Sequence, residues 1–503
     1  MSLIANLGVP GLPDQAHHDG DEYPLQQRFL LYGVIAGAGC GILLQASAAA
    51  VLAASVFWAT GLTWRRSDPP ILPFCLAYQW LFVAAPYLAW SLDVQTLQVS
   101  QRVDPSQAVL LAGLGFIALA AGIRFTWWIL RAPMHKASAQ LGQQDGSLSV
   151  QRLFWVVIAV HVISWVYHIQ PMKISYGFSQ FIYAMLAVRV ALFVLLWQVI
   201  LQQRRGYRYG LAALAFVLVP MLASKMSGFK GLFFLIFVLV LWELRPGSTI
   251  FRTRRGRRLA SAAASLVAGL LVLGVIWEGA VKPVWRTAES SGGTLARVQQ
   301  FMALSTEAVV ALDWAVGSGN LLERIGSIDQ FARVLTRVPS LLPYEQGSIT
   351  TSAVKHVFLP RFLFPDKPIL DSSRVTRRYA GIQIGAGTSI GIGYMAEFYI
   401  DFGAPGMFLA ILFYGMVIGL LYTLLLVGSP AAFAAPLLMV MFVDGFDGFE
   451  SDLAKQLGGL MIRTISFLVL ATSLGDPLVR MLRTAPRRRH AGVPPATSLT
   501  RRN

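Results

Sequence analysis

The chain of 503 residues is 55% hydrophobic and only 13% charged, with a mean hydropathy of +0.58, whereas soluble globular chains carry about a quarter charged residues. This composition excludes a soluble enzyme, and apolar runs recurring from Phe29 to Leu474 exclude a protein held by one anchor. The net charge of +17 is gathered into short segments between apolar runs, so it reads as membrane topology and not as a nucleic-acid surface.

Residues 1–28 form a tail in which Asp14, Asp19, Asp21 and Glu22 stand where a signal peptide would be basic, so the first apolar run is expected to be retained. Residues 29–276 hold predicted spans at 29–44, 47–63, 71–91, 106–128, 153–169, 178–201, 209–223, 231–244 and 259–276. A long segment, 277–387, follows without a spanning run, then 388–475 with spans at 392–426, 430–443 and 457–474, and a basic tail at 476–503. The tenth span is expected to start as an amphipathic stretch and to enter the membrane near Pro405. The expectation is an all-α polytopic protein of about twelve spans.

Orientation follows from lysine and arginine bias in short connections. Alternate connections carry Arg65 and Arg66; Arg131 and Lys136; Arg204, Arg205 and Arg208; Arg252 to Arg258; and the C-terminal arginines, of which Arg487 to Arg489 suit anionic lipid. Both termini are therefore expected in the cytoplasm and 277–387 outside it. Cys40 and Cys75 lie inside apolar runs and predict neither a disulfide nor a metal site. Gly33, Gly37 and Gly41, like Gly415 and Gly419, have the small-xxx-small spacing of closely packed membrane helices.

Charges inside spans are costly and mark function or structural pairing. Arg189 sits mid-span, and Arg463 lies about two turns inside the last one, roughly 10 Å deep at ~1.5 Å per residue. His161 and His168 share a helix face and read as satisfied helix histidines in preference to a proton relay. Within 277–387, residues 294–316 and 323–337 alternate apolar and charged positions at helical spacing, predicting helices that lie on the membrane surface or pack over the bundle. Gly387 to Gly391 matches a nucleophile elbow without its strand-turn-helix setting, and Asp444 to Asp452 reads as a solvated acidic turn in preference to a site for a divalent cation bridging to diphosphate, since it lacks a calcium-loop spacing.

The order Arg324, Pro339, Tyr344-Glu-Gln-Gly347, Pro360-Arg361, Pro365-Asp-Lys-Pro368 and Glu397-Phe-Tyr-Ile-Asp-Phe-Gly403 resembles the bacterial oligosaccharide repeat-unit polymerases, the O-antigen and exopolysaccharide polymerase group. Lys225-Met-Ser-Gly-Phe-Lys-Gly231 resembles the basic glycine turn of those proteins. The resemblance implies a C-type glycosyltransferase-like fold with a large periplasmic loop in the bacterial inner membrane. It also implies transfer of a growing glycan from undecaprenyl diphosphate to a new lipid-linked repeat unit. Expected partners are undecaprenyl-diphosphate-linked oligosaccharide, membrane lipid, a chain-length regulator and a flippase, with no nucleic acid and no cofactor.

A diphosphate leaving group gathers negative charge, which fixed cations stabilise without a metal. Arg189, Lys225, Lys230, Arg324, Lys367 and Arg463 are the expected diphosphate-binding residues. Arg361 is expected to act in catalysis, with Glu397, or Asp401 four residues on along the same helix face, as the base. The rival readings are a lipid-linked oligosaccharide flippase or polysaccharide transporter, and an O-antigen ligase-like transferase. A transporter of paired halves would show an internal repeat, and none is found.

Overall fold

In the computed structural model the described residues are 22–92, 103–142, 148–169, 176–223, 229–243, 271–282, 307–324, 326–359, 372–384, 391–446 and 448–483, with a few isolated positions between them. All regular structure among them is helical. The helices are α1 (Glu22–Leu43), α2 (Ser47–Thr63), α3 (Ile71–Ser91), α4 (Ser106–Ile129), α5 (Arg131–Gly142), α6 (Val150–Ile169), α7 (Tyr176–Leu186), α8 (Val188–Gln203), α9 (Tyr207–Ala223) and α10 (Phe229–Glu243). They continue with α11 (Leu271–Val281), α12 (Trp314–Arg324), α13 (Ile328–Arg337), α14 (Ser348–Phe358), α15 (Ser372–Val375, prolonged by a wider turn to Ala380), α16 (Tyr394–Gly428), α17 (Ala431–Gly445) and α18 (Leu453–Leu482).

Six stretches are long and apolar enough to cross a membrane, in α3, α4, α6, the α7–α8 pair, α16 and α18. Shorter apolar helices accompany them in α2, α9, α10, α11 and α17. The predicted sixth span is two helices, broken at Ala187 just before Arg189. The amphipathic α5 and the covering helix α14 were not predicted, whereas α13 fills most of the expected 323–337. Most of 294–316 lies outside the described residues.

The close helix contacts are made where side chains are smallest. A Cβ on Gly122 would lie 2.1 Å from the Leu412 carbonyl oxygen, and one on Gly415 would lie 2.2 Å from that of Leu119, so α4 and α16 touch backbone to backbone. The predicted packing role of Gly415 is therefore observed. In α16 the helix is interrupted at Gly403, whose φ of 66° and ψ of −177° suit a residue without Cβ. Pro405 follows, so its missing N–H falls in the first turn of the new segment. The interruption lies close to the expected membrane-entering position, but residues 392–401 before it are buried on all sides and not amphipathic.

Contacts gather the basic connections at one end of the bundle. Arg65 Nη2 donates to Ser138 Oγ (3.4 Å), Gln203 Nε2 to the Leu148 carbonyl (2.7 Å), and Arg152 Nη1 to the Arg483 carbonyl (2.9 Å). Arg65 also pairs with buried Asp68 (3.0 Å), which accepts from the Tyr422 hydroxyl (3.1 Å) and so ties the start of α3 to the end of α16. The covering helices α13 to α15 sit at the opposite end of α16, with the turn 446–452.

A side chain placed between α4 and α16 must push two backbones apart, and overpacking costs about 1–3 kcal/mol per site. Gly122→Val and Gly415→Val are expected to lose most monodisperse protein in detergent size-exclusion chromatography, whereas Gly39→Val, where a Cβ meets open space, behaves as wild type. Equal recovery of all three would contradict this packing.

Candidate functional site

The first turns of α16 carry two buried carboxylates, and both receive backbone N–H groups from other helices. Glu397 is 5% exposed and its Oε2 accepts from Leu453 N (2.8 Å), the first residue of α18. Asp401 is 1% exposed and accepts from Ile349 N (3.1 Å), Thr350 N (2.7 Å) and Thr350 Oγ1 (2.6 Å) at the start of α14. Helix N-termini leave donors without intrahelical partners, and carboxylates satisfy them and complement the dipole. The sequence-predicted base candidates thus share a face as expected, but each is occupied in holding a helix.

The same pattern fixes the turn between α17 and α18. Gln79 Nε2 donates to the Phe446 carbonyl (2.8 Å), and Gln79 Oε1 accepts from the Tyr394 hydroxyl (3.0 Å). Ser327 Oγ donates to Glu450 Oε2 (3.0 Å), and Lys455 pairs with Asp452 (3.0 Å). Gly391 lies so close to this turn that a Cβ there would be 2.1 Å from Asp452 Oδ1. Of the acidic run read from sequence as solvated, Glu450 and Asp452 are instead packed and bonded, because groups from α3, α16 and the covering segment reach this turn, whereas Asp444 is exposed.

Immediately before that turn stands Asp444, on the last turn of α17. Its side chain is exposed, and it stands in a cleft flanked by α10 and α18, with Gly231 beside its carboxylate and the Arg463 guanidinium beside its neighbour Gly445. Arg189 on α8 and Arg463 on α18 both lie within electrostatic range of it. Among the described residues neither arginine closes a contact ion pair with Asp444, and Arg189 Nη1 donates to Ser164 Oγ on α6. Arg463 lies ten residues into α18, about 15 Å from its start at ~1.5 Å per residue. Its guanidinium occupies space left by two glycines: a Cβ would sit 3.0 Å from Nη1 at Gly459 and 3.4 Å at Gly445.

Gly231, at the end of the basic glycine turn, borders the same cleft, since a Cβ there would be 3.9 Å from Asp444 Oδ1. Of the expected anion-binding residues, the fold therefore brings together Arg189 and Arg463. Lys230 and Arg324 have backbones in α10 and α12, with side chains outside the described residues. Lys225, Arg361 and Lys367 lie outside the described residues, as does 385–390 with most of the elbow-like pattern. His161 Nδ1 lies 2.8 Å from the Val157 carbonyl oxygen one turn back, but its Nε2 is buried without a hydrogen-bond partner among the described residues, so the ring is only half satisfied; the His168 side chain is outside the described residues. Among the described residues no group of three or more His, Cys, Asp or Glu is placed to hold a metal.

Sequence reasoning missed Asp444, although a signal was present. It continues the apolar run of α17 and directly follows Phe442 and Val443, so it belongs with span charges and not with the polar turn.

Below the cleft, α6, α8, α17 and α18 also line a half-open apolar cavity of about 400 Å³, bounded by Val160, Val188, Leu192, Leu437, Leu470 and Ala471 among others. On α17 and α18 its lining begins seven residues from Asp444 and Arg463, about 10 Å at ~1.5 Å per residue.

The covering segment is pinned to α16 as well. The Glu345 amide donates to the Ile400 carbonyl (3.0 Å), Tyr344 meets Tyr399 edge to face with centroids 6.0 Å apart, and the Tyr399 hydroxyl donates to the Val338 carbonyl (3.2 Å). The Glu345 carboxylate accepts from the Tyr379 hydroxyl, from Ser348 Oγ (3.1 Å) and from Arg378 Nη2 (3.0 Å). The Tyr379 bond first, then Ser348 and the Arg378 charge, hold this carboxyl below its ordinary range against the opposing effect of burial.

Two expectations follow. Glu397→Ala leaves a buried N–H without a partner and should cost about 1–3 kcal/mol, with Glu397→Gln costing less because it keeps an acceptor oxygen. Thermal melts in detergent measure this, and an Ala variant melting with wild type contradicts the capping role. For Glu345, a depressed folded pKa gives stability that is complete above the unfolded value of about 4.3 and is lost as pH falls through the folded value. Limited proteolysis of 338–384 should accelerate on acidification below about pH 4.5 in wild type and be pH-insensitive, and faster at neutral pH, in Glu345→Gln. Matching pH profiles in the two proteins would count against the Glu345 contacts.

The sequence model of one family, described as a domain of unknown function (DUF8712), matches residues 92–424. No curated protein and no solved structure matches the chain. The matched stretch includes Arg189, the covering helices and both capping carboxylates, and ends before Asp444 and Arg463. Since it spans more than half of the 503 residues, the chain belongs to the DUF8712 family.

Proposed function

We propose that this protein polymerises undecaprenyl-diphosphate-linked oligosaccharide repeat units into O-antigen or exopolysaccharide at the periplasmic face of a bacterial inner membrane. In this reading it crosses the membrane about twelve times. The basic connections face the cytoplasm, and 277–387 is the large periplasmic loop of a C-type glycosyltransferase-like enzyme. The observation that carries the reading is that Arg189 and Arg463 both lie within electrostatic range of the exposed Asp444, on helices that also line a half-open apolar groove. That arrangement suits an amphiphile with a multiply charged anionic head and an apolar tail. Guanidinium groups bind diphosphate oxygens in pairs, and in a cleft of low polarity they stabilise the charge that grows on the leaving group. The outer helices pinned to α16 by Asp401 and Glu345 form a floor for the sugar chain over this cleft.

Deletion of the gene, followed by analysis of lipid-linked and surface glycans, tests this directly. Single repeat units should accumulate on the periplasmic side, and Arg189→Ala or Arg463→Ala should lower long-chain product by about 10²-fold or more with normal protein levels. Accumulation on the cytoplasmic side indicates a flippase. Polymer that is made but not transferred to its final acceptor indicates a ligase, and unchanged chain lengths contradict the proposal.

A further inference from the structure

Transfer of a sugar from a diphosphate to a hydroxyl needs a place for the hydroxyl proton as well as for the negative charge. The carboxylates expected to serve, Glu397 and Asp401, are closed off: each is buried and accepts backbone N–H groups that have no other partner within their own helices. Asp68 is paired with Arg65 at the far end of the bundle. Glu450 and Asp452 are bonded within the turn, to Ser327 and Lys455. Asp444 differs from all of them. It is accessible, it stands in the cleft, and it lies within electrostatic range of the two arginines that would hold the diphosphate. Gly231 brings bare backbone beside its carboxylate, a Cβ there lying 3.9 Å from Oδ1.

We propose that Asp444 is the proton acceptor for the attacking hydroxyl, a role that rests on the polymerase reading above. The acceptor hydroxyl oxygen bonds to the anomeric carbon of the donor sugar while the bond from that carbon to the diphosphate oxygen breaks. The bonding pair leaves with the diphosphate, whose added charge faces Arg189 and Arg463, and the hydroxyl proton passes to an Asp444 carboxylate oxygen. The alternative for Asp444 is a counter-charge that only holds the two guanidinium groups in place. The two roles differ in what the residue does to binding. A proton acceptor can be removed without harm to the diphosphate site, and removing its charge strengthens the field there; a positioning counter-charge cannot be removed without loosening both arginines.

The experiment uses the full chain in lipid nanodiscs, with undecaprenyl diphosphate as the binding probe and lipid-linked repeat units extracted from the gene-deleted strain as substrate. Asp444→Asn is expected to lower turnover by about 10²- to 10⁴-fold while binding undecaprenyl diphosphate at least as tightly as wild type, and Asp444→Glu is expected to restore part of the turnover. Retained binding also shows that the variant is folded. Turnover of Asp444→Asn within tenfold of wild type overturns the role. So does loss of undecaprenyl diphosphate binding to the extent seen in Arg463→Ala, because that is the signature of a counter-charge. Wild-type protein that binds undecaprenyl diphosphate but elongates nothing overturns the polymerase reading itself, and is told apart from failure of the Asp444 assignment by the wild-type control.

Discussion

A carboxylate buried at the head of α16, Glu397, accepts the first backbone N–H of α18, and the geometry of the cleft depends on that contact. It sets where α18 begins, hence the height of Arg463 ten residues on, and it fixes one end of the turn that starts from Asp444. Gln79 holds the other end of the turn through the Phe446 carbonyl. One turn along α16, Asp401 does for α14 what Glu397 does for α18, so a single helix face positions the bundle on one side and the outer helices on the other. In an apolar surrounding an unmade hydrogen bond is expensive, which is why such contacts define position more sharply than apolar packing does.

The interruption at Gly403 belongs to the same device. Residues 394–401 form a buried helical head with the two carboxylates, and after the kink the remainder runs against α4 with backbone contact at Gly415. A continuous helix would carry the carboxylates and the α4 contact in one fixed phase; the kink lets each be set by its own partners. The Tyr344 ring lies against Gly403, where a Cβ would be 3.1 Å from it, so the covering segment is fitted to the kink itself.

Much of this was legible in the sequence, for reasons that are local. Helix positions follow from apolar runs, the close packing at Gly415 from glycine spacing, and the shared face of Glu397 and Asp401 from their spacing of four, whereas neither α4 as the packing partner nor the interruption at Gly403 was read. What the sequence did not disclose is pairing between residues far apart in the chain. Nothing near Glu397 announces Leu453 as its donor, nor does anything near Asp401 announce Ile349 and Thr350, so carboxylates at helical spacing read as catalytic. Asp444 was grouped with the glycines and acids that follow it, because its partners Arg189 and Arg463 come from helices that only the fold brings to it. Arg361 and Lys367, singled out by the resemblance, lie outside the described residues.

The central claim is that Arg189 and Arg463 bind the diphosphate of a lipid-linked glycan. A structure determined by electron cryo-microscopy in nanodiscs with undecaprenyl diphosphate added tests it most directly. The account predicts phosphate density in the Asp444 cleft within hydrogen-bonding reach of both guanidinium groups, with the polyprenyl tail in the apolar cavity between α6, α8, α17 and α18. Phosphate density elsewhere on the protein, with the two arginines unengaged, would contradict it.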